Sequence, residues 1–422
     1  MTDMEYRDYS CGGNKLRKLG VLPRESQAPQ KPWFDRIDVY WQDVYERQPV
    51  WRPHGRSARQ PTTNRAGEPV RQLVWVPDFG PIACRLIRSS DHVRSAVAAL
   101  LGYHQLTSGQ LAAHLGYPAT KIGKILKPMF VSGLVERAEF PRWCWQPKVD
   151  LVYRLRLERT EQWLSALDDP AWVAVTLGFR PSEAGHFVKH NLLVAEFVLR
   201  LQETVTSPLQ AVFGERYARS NLLLPAQNPK RPIFGDTCIV REDGLRIVVE
   251  LVRRQRDRDV MEKMLAWGRL LSHEPRSENG VVVVFLNATE DERGHIQRAA
   301  SLRRCHAHVL SPEVLGAGAW GSAYARSSIF LASWRDWFPA AWSISTDLPQ
   351  LVVAYSADGT RWARGPLLPG PWHQGALPFS PRHRDAWTRP RQVALDPGSA
   401  IGLRTSHAQR FYGVPRWSNV PA

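Results

Sequence analysis

The chain has 422 residues, 43% of them hydrophobic, enough for two or three domains with cores of their own and too many for wholesale disorder. It carries 56 Lys+Arg against 40 Asp+Glu, a net charge of +16, and that excess suits a polyanionic partner, above all nucleic acid. No run approaches the ~18 apolar residues of a membrane span, and the start Met1-Thr-Asp-Met-Glu lacks the blocks of a secretion signal. Cys11, Cys84, Cys144, Cys238 and Cys305 are scattered and form no CxxC pair, so a reducing cytoplasm is expected, without a disulfide framework or zinc ribbon.

Residues 1–87 mix Pro, Arg and Trp without sustained periodicity and read as a partly irregular N-terminal arm with short ordered pieces such as Trp33–Tyr45. A compact module is predicted over 88–157. Asp91 is placed to cap a helix reaching about Gly102, with Val93, Val97, Leu100 and Leu101 facing inward. Thr107 caps a short helix, Ser108–Leu115, Gly116 turns the chain, and Pro118 opens a third helix. Ile122, Ile125, Leu126 and Met129 form the apolar stripe of that helix. Lys121, Lys124 and Lys127 recur at every third position on the other side, within an arc of ~120°; they are three of the ten lysines in the chain. Pro128 is predicted to shorten or bend this helix, because its ring meets the carbonyl of Lys124. Gly133-Leu-Val-Glu-Arg137 leads into a strand pair around Trp143-Cys-Trp145 and Leu151–Leu155, where Arg142 and Lys148 add positive charge.

The phrase Leu111-Ala-Ala-His-Leu-Gly116, followed by Ile122, Ile125, Leu126 and Gly133-Leu-Val, resembles the winged helix-turn-helix superfamily. The resemblance implies that the third helix enters the major groove of double-stranded DNA and that the strand pair is the wing. Lys121, Lys124, Lys127, Arg142 and Lys148 are then its DNA-binding residues.

A helical connector is expected at 158–186 and an α/β domain at 187–312. The domain opens on an amphipathic helix, His190–Leu201, followed by strands near 211–218, 233–240 and 245–252. A helix over 257–271, a buried strand Val281–Leu286, a helix over 290–304 and a last strand His308–Leu310 complete it. Asp236 stands at a strand start after Phe234-Gly235. Glu250 closes the apolar run Ile247-Val-Val with thirteen residues intervening, and Glu215 offers a third acid on the preceding strand. This order of elements and acids resembles the restriction-endonuclease-like, PD-(D/E)xK fold, a mixed sheet flanked by helices. The resemblance implies a Mg²⁺ site on Asp236, Glu250 and Glu215, because Mg²⁺ prefers hard oxygen ligands and activates water against a phosphodiester. The sequence departs from the signature at Val252, where a lysine is expected. Lys263 on the following helix is the replacement that the resemblance suggests, making Asp236, Glu250 and Lys263 the candidate catalytic set. The apolar residue at 252 favours holding DNA over cutting it, with Arg254 as part of a clamp.

Residues 313–422 hold eight of the 17 tryptophans and no lysine, and read as a Trp/Pro-rich appendage. Within it Leu351–Tyr355 and Arg361–Arg364 flank Asp358-Gly359 as a hairpin. Taken together, the two modules and the opening His190-Asn-Leu-Leu-Val-Ala-Glu196 resemble the replication-relaxation family of actinobacterial mobile elements. The fold class expected is α+β to α/β, in several domains. The implied role is DNA binding in replication, relaxation or transfer of a plasmid or integrative element. A Mg²⁺-dependent endonuclease or nickase, and an interaction platform for a relaxase or replication protein, stay open as alternatives.

Overall fold

The computed structural model describes residues 36–41, 43–46, 49–52, 59–63, 69–73, 80–115, 117, 119–140, 151–156, 188–204, 209–215, 218–224, 232–241, 244–341 and 343–368. The connector at 158–186, the pair around Trp143–Trp145 with Arg142 and Lys148, the turn residues Gly116 and Pro118, and the chain after 368 lie outside the described residues.

After strands β1 (Val50–Arg52), β2 (Arg59–Thr63) and β3 (Pro69–Leu73), two helices follow one another, α1 (Gly80–Ser89) and α2 (Asp91–Tyr103). The cap of α2 is Ser90, whose side chain accepts from Val93 N at 3.3 Å; Asp91, the expected cap, is already the first helical residue. Strand β4 (Gln105–Thr107) precedes α3 (Ser108–Leu115), where the predicted boundaries hold. Here Thr107 Oγ1 accepts from Gln110 N at 3.0 Å and Gln110 Oε1 from Thr107 N at 3.1 Å, a reciprocal capping box. Helix α4 (Ala119–Val131) runs on through Pro128 for a further three residues, so the element is not cut short there. Strands β5 (Val135–Glu139) and β6 (Val152–Leu155) close the module in an antiparallel sheet of order β1-β5-β6-β4.

Helix α5 (Val188–Thr204) joins this module to a seven-stranded sheet. The sheet is built from β7 (Leu209–Gly214), β8 (Thr237–Arg241), β9 (Arg246–Val252), β10 (Val281–Asn287), β11 (Ile329–Ser333), β12 (Val352–Tyr355) and β13 (Ala363–Pro366), in the order β13-β12-β11-β10-β9-β8-β7. Strands β9, β10 and β11 are parallel and the remaining pairs antiparallel. The run Val281-Val-Val-Val-Phe-Leu286 is buried on both faces, as a central parallel strand requires. Helix α6 (Asp257–Leu271) and helix α7 (Glu292–Val309) cover the face that carries Val248, Val252, Val283 and Phe285. Helix α5 lies against the face of Ile247, Val249 and Leu251.

Three expectations are corrected. The stretch His308–Leu310 is the end of α7, not a strand: Leu302, Cys305, His306 and Val309 are buried at helical spacing and Leu310 N donates to His306 O at 3.3 Å. The predicted boundary at 312 falls inside the sheet, which continues through helix α8 (Ala319–Ser328), β11 and the hairpin β12–β13. Trp334 and Trp337 are core residues rather than anchors of an appendage. The hairpin itself forms as expected, with Gly359 at φ 82°. The first described stretch of the arm is also built in. Tyr40 stacks on Trp334 with ring centroids 5.3 Å apart and donates to Thr289 O at 2.6 Å.

The two modules share one core, since buried Val93, Leu111 and Leu155 belong to the same cluster as Leu192, Ile247 and Val284. Contact is close at the end of β7, where a Cβ on Gly214 would lie 2.3 Å from Gly102 O. No helix among the described residues is long and apolar enough to cross a membrane.

Candidate functional site

Strand register brings the two predicted acids together. Thr237 pairs with Val249 across β8 and β9, and Asp236 N donates to Val249 O at 2.9 Å, so Asp236 stands one step out, beside Glu250. Asp236 Oδ2 accepts from Leu251 N at 2.6 Å, and its Oδ1 lies 3.1 Å from His190 Nε2. Glu250 is 2% exposed; its Oε1 accepts from Trp267 Nε1 at 2.7 Å and its Oε2 lies 2.5 Å from Lys263 Nζ. Lys263 and Trp267 are four residues apart on α6, so one helix face delivers both to the same carboxylate.

Val252 shares the face of Glu250 but is 3% exposed among Val260, Met264 and Trp267. A lysine there would bury its charge under α6, whereas Lys263, with its side chain 38% exposed, approaches Glu250 from the open side. The predicted replacement therefore meets its acid.

The charges act on one another. Burial pushes Glu250 up to about 7, with Asp236 adding to the rise and Lys263 and Trp267 opposing it. Burial also acts to raise Asp236, but His190, Lys263 and the Leu251 amide overcome it and hold the carboxyl at about 2. Burial acts to lower His190 and Lys263; Asp236 outweighs it for His190, and Glu250 with Asp236 for Lys263, so both are raised. Two neighbouring acids driven in opposite directions are the pattern of groups with different duties in one site.

Glu215, the third predicted acid, follows β7 and turns to His104, with Oε2 2.7 Å from His104 Nε2. His104 follows α2 at φ 61°, a positive value that a residue with a Cβ rarely adopts. Among the described residues no group of three or more His, Cys, Asp or Glu side chains is arranged to hold a metal ion. Asp236 and Glu250 nevertheless fit a hard cation. Their oxygens are hard donors, each keeps a lone pair beyond its present partner, and Mg²⁺ often takes only one or two carboxylates.

The second candidate site is the outer face of α4. Lys121, Lys124 and Lys127 are exposed, while Ile122, Leu126 and Met129 are buried and Ile125 is partly so. Arg254 lies beyond the last residue of β9, so it does not continue the face of Glu250. It is 67% exposed and pairs with Glu46 Oε2 at 3.0 Å. Its neighbour Arg253 is held by Glu46 and Glu290. A phosphate would have to compete with Glu46 for this stretch. His190, Trp267 and His104 were not singled out from the sequence as site residues. The spacing of Lys263 and Trp267 on a helix that follows Glu250 was the available signal for one of them.

No family model, curated protein or solved structure matches the chain.

Proposed function

We propose that the chain is a double-stranded-DNA-binding protein of a plasmid or integrative element, acting in its replication, relaxation or transfer. In this reading residues 88–157 are a winged helix-turn-helix with α4 as the recognition helix. The observation that carries it is the exposed lysine triplet on α4, opposite a buried stripe, in the third helix of the module. Replacing Lys121 and Lys124 with alanine is expected to weaken binding to duplex DNA. If both side chains meet phosphates, the log–log salt slope falls by about 1.8. If one reads a guanine edge, the loss is confined to particular sequences at about 1–3 kcal/mol. An unchanged affinity in a salt titration of the double variant removes α4 from the interface.

A second reading, a Mg²⁺-dependent endonuclease or nickase with a restriction-endonuclease-like fold, is favoured by Lys263 Nζ at 2.5 Å from Glu250 and by Asp236 beside them. Asp236 and Glu250 would hold the ion, which when bound supplies an activated water and charge neutralisation. Lys263, freed from Glu250 by the competing cation, would stand against the negative charge that develops on the phosphate. His190 fixes the Asp236 carboxylate. Supercoiled plasmid with Mg²⁺ or Mn²⁺ is expected to be nicked by the wild type and left intact by Asp236→Ala and by Lys263→Ala. Plasmid left intact by the wild type reduces the acid cluster to a structural part of a DNA-holding domain. A platform for a relaxase or replication protein is the third reading: Trp334 and Trp337 are buried in the core and unavailable to a partner, whereas Trp320 is 78% exposed.

A further inference from the structure

Away from the acid cluster, the sheet extension β11–β13 and helix α7 line an open cleft of about 380 Å³. Leu302, Leu331, Ala299, Ala332, Ala354 and Ala363 give it an apolar side, and Asn287, His295, Ser333 and Asp336 a polar one. The Arg303 guanidinium lies 5.6 Å from the ring centre of Trp362, and Arg364 pairs with Asp336 at 3.2 Å and Asp347 at 2.7 Å. A mostly apolar pocket with a few convergent polar groups, at the carboxyl ends of parallel strands, is the usual form of a small-molecule site.

Two of those polar groups are Ser333, the last residue of β11, and His295 on the first turn of α7. Ser333 Oγ lies 3.0 Å from His295 Nε2. The other ring nitrogen, Nδ1, lies 3.2 Å from Thr289 O, which already accepts from Tyr40. A carbonyl can only accept, so Nδ1 carries the proton, Nε2 presents its lone pair, and the Ser333 hydroxyl donates to it. The helix-cap bond agrees with this direction: Ser333 Oγ accepts from Asp336 N at 3.3 Å, which uses a lone pair and leaves the O–H for His295. Burial lowers His295 from its ordinary value and Arg335 adds to the fall, while the Thr289 carbonyl, Asp336 and Asp291 oppose it. With the proton on Nδ1, the Nε2 lone pair is the one that can take the Ser333 proton.

We propose that Ser333 and His295 are a nucleophile and its general base, and that this cleft takes short-chain carboxylic esters and cleaves them by acyl transfer. The hydroxyl attacks the ester carbon and the Oγ–C bond forms. The Ser333 proton passes to His295 Nε2 and from there to the departing alkoxide as the C–O bond breaks. Water then attacks the acyl-serine, giving its proton to His295; the acid leaves and Ser333 regains its hydrogen. The acyl chain rests among Leu331, Ala354 and Leu302. The Thr289 carbonyl holds the base in its working tautomer, the duty that a carboxylate performs in other serine–histidine sites.

The full chain is treated with an alkyl fluorophosphonate and the modified residue located by mass spectrometry, and hydrolysis of p-nitrophenyl butyrate is followed in parallel. An adduct at Ser333 and ester turnover are expected, both lost in Ser333→Ala and in Ser333→Asn, which keeps an acceptor for the helix cap. His295→Gln is expected to slow both by about 100-fold. No adduct at Ser333, or labelling that is as fast in His295→Gln, overturns the pair; an adduct without ester turnover overturns the substrate class. None of these readouts involves DNA, so they stand or fall apart from the DNA-binding and nuclease readings.

Discussion

Glu250→Gln is expected to make the protein more stable at and above neutral pH while abolishing any metal-dependent nicking. Glu250 is a buried acid whose pKa is raised, by burial first, from 4.5 to about 7. The folded state therefore holds its proton more tightly than the unfolded chain does. The advantage is complete below about 4.5 and is lost as pH rises through about 7; above that, the native state carries the cost of an ionised, buried carboxylate. A shift of this size corresponds to about 3 kcal/mol, or several degrees in melting temperature. Glutamine keeps an oxygen for the Trp267 indole and removes the charge; Lys263, being partly exposed, can turn to water. Asp236 has the opposite linkage. Its carboxyl is held at about 2, so its contribution is present above about 3.8 and is lost only as pH falls toward 2, and the substitution leaves that limb intact. Thermal melts of the two proteins should coincide near pH 4 and separate progressively to pH 8. A difference that does not vary with pH, or a less stable variant, sinks the reading of Glu250 as a stressed acid. A stability gain coupled to lost nicking is the trade expected of a residue kept for chemistry rather than for folding.

How much of this was legible in the sequence depends on the range of the interaction. The helices of the first module could be read because their apolar residues recur locally and their caps are local. Thr107 and Gln110 are three residues apart, and Ile122, Leu126 and Met129 mark one stripe. Asp236 and Glu250 could be paired because a strand start and an apolar run already imply the antiparallel register that brings them side by side. His190 was harder, because nothing local distinguishes the first polar residues of an amphipathic helix from a residue that reaches an acid 46 positions away. Strand β11, and the attachment of the C-terminal hairpin to the sheet, were missed for a related reason. Strands β11 and β12 are separated by a stretch with Trp334, Trp337 and two prolines, a composition that resembles an appendage until Tyr40, from the other end of the chain, stacks on Trp334. The same blindness hid His104. A histidine at positive φ has no sequence signature, and Glu215 lies 111 residues further on.

A buried charge network of long sequence range yields the largest expected loss. Glu196 on α5 is 1% exposed and lies between two buried arginines: Arg200 Nε at 3.0 Å and Arg36 Nη2 at 3.3 Å. Arg36 also meets both oxygens of Glu203, and Arg200 meets Asp38 at 2.7 Å. Burial acts to raise Glu196, but Arg36 and Arg200 outweigh it and keep the carboxyl ionised. The other oxygen of Glu196 accepts from Gln110 Nε2 at 3.1 Å, and Gln110 also donates to Leu192 O at 2.8 Å. One carboxylate thus ties the first described stretch of the chain, the capping box of α3 and the helix that backs the large sheet. Glu196→Ala leaves two arginines in a dry interior with one carboxylate fewer, at a cost of about 3–5 kcal/mol. Glu262→Ala breaks an ion pair with Arg258 whose side chains are 85% and 63% exposed, and should barely move the transition. Denaturant melts of the two variants decide it. Equal, small losses show that the buried charges add nothing over exposed ones. A large loss in Glu196→Ala within a single transition shows that the lysine-bearing module and the acid-bearing sheet unfold as one unit, so that α4 is held in a fixed orientation to Asp236, Glu250 and Lys263.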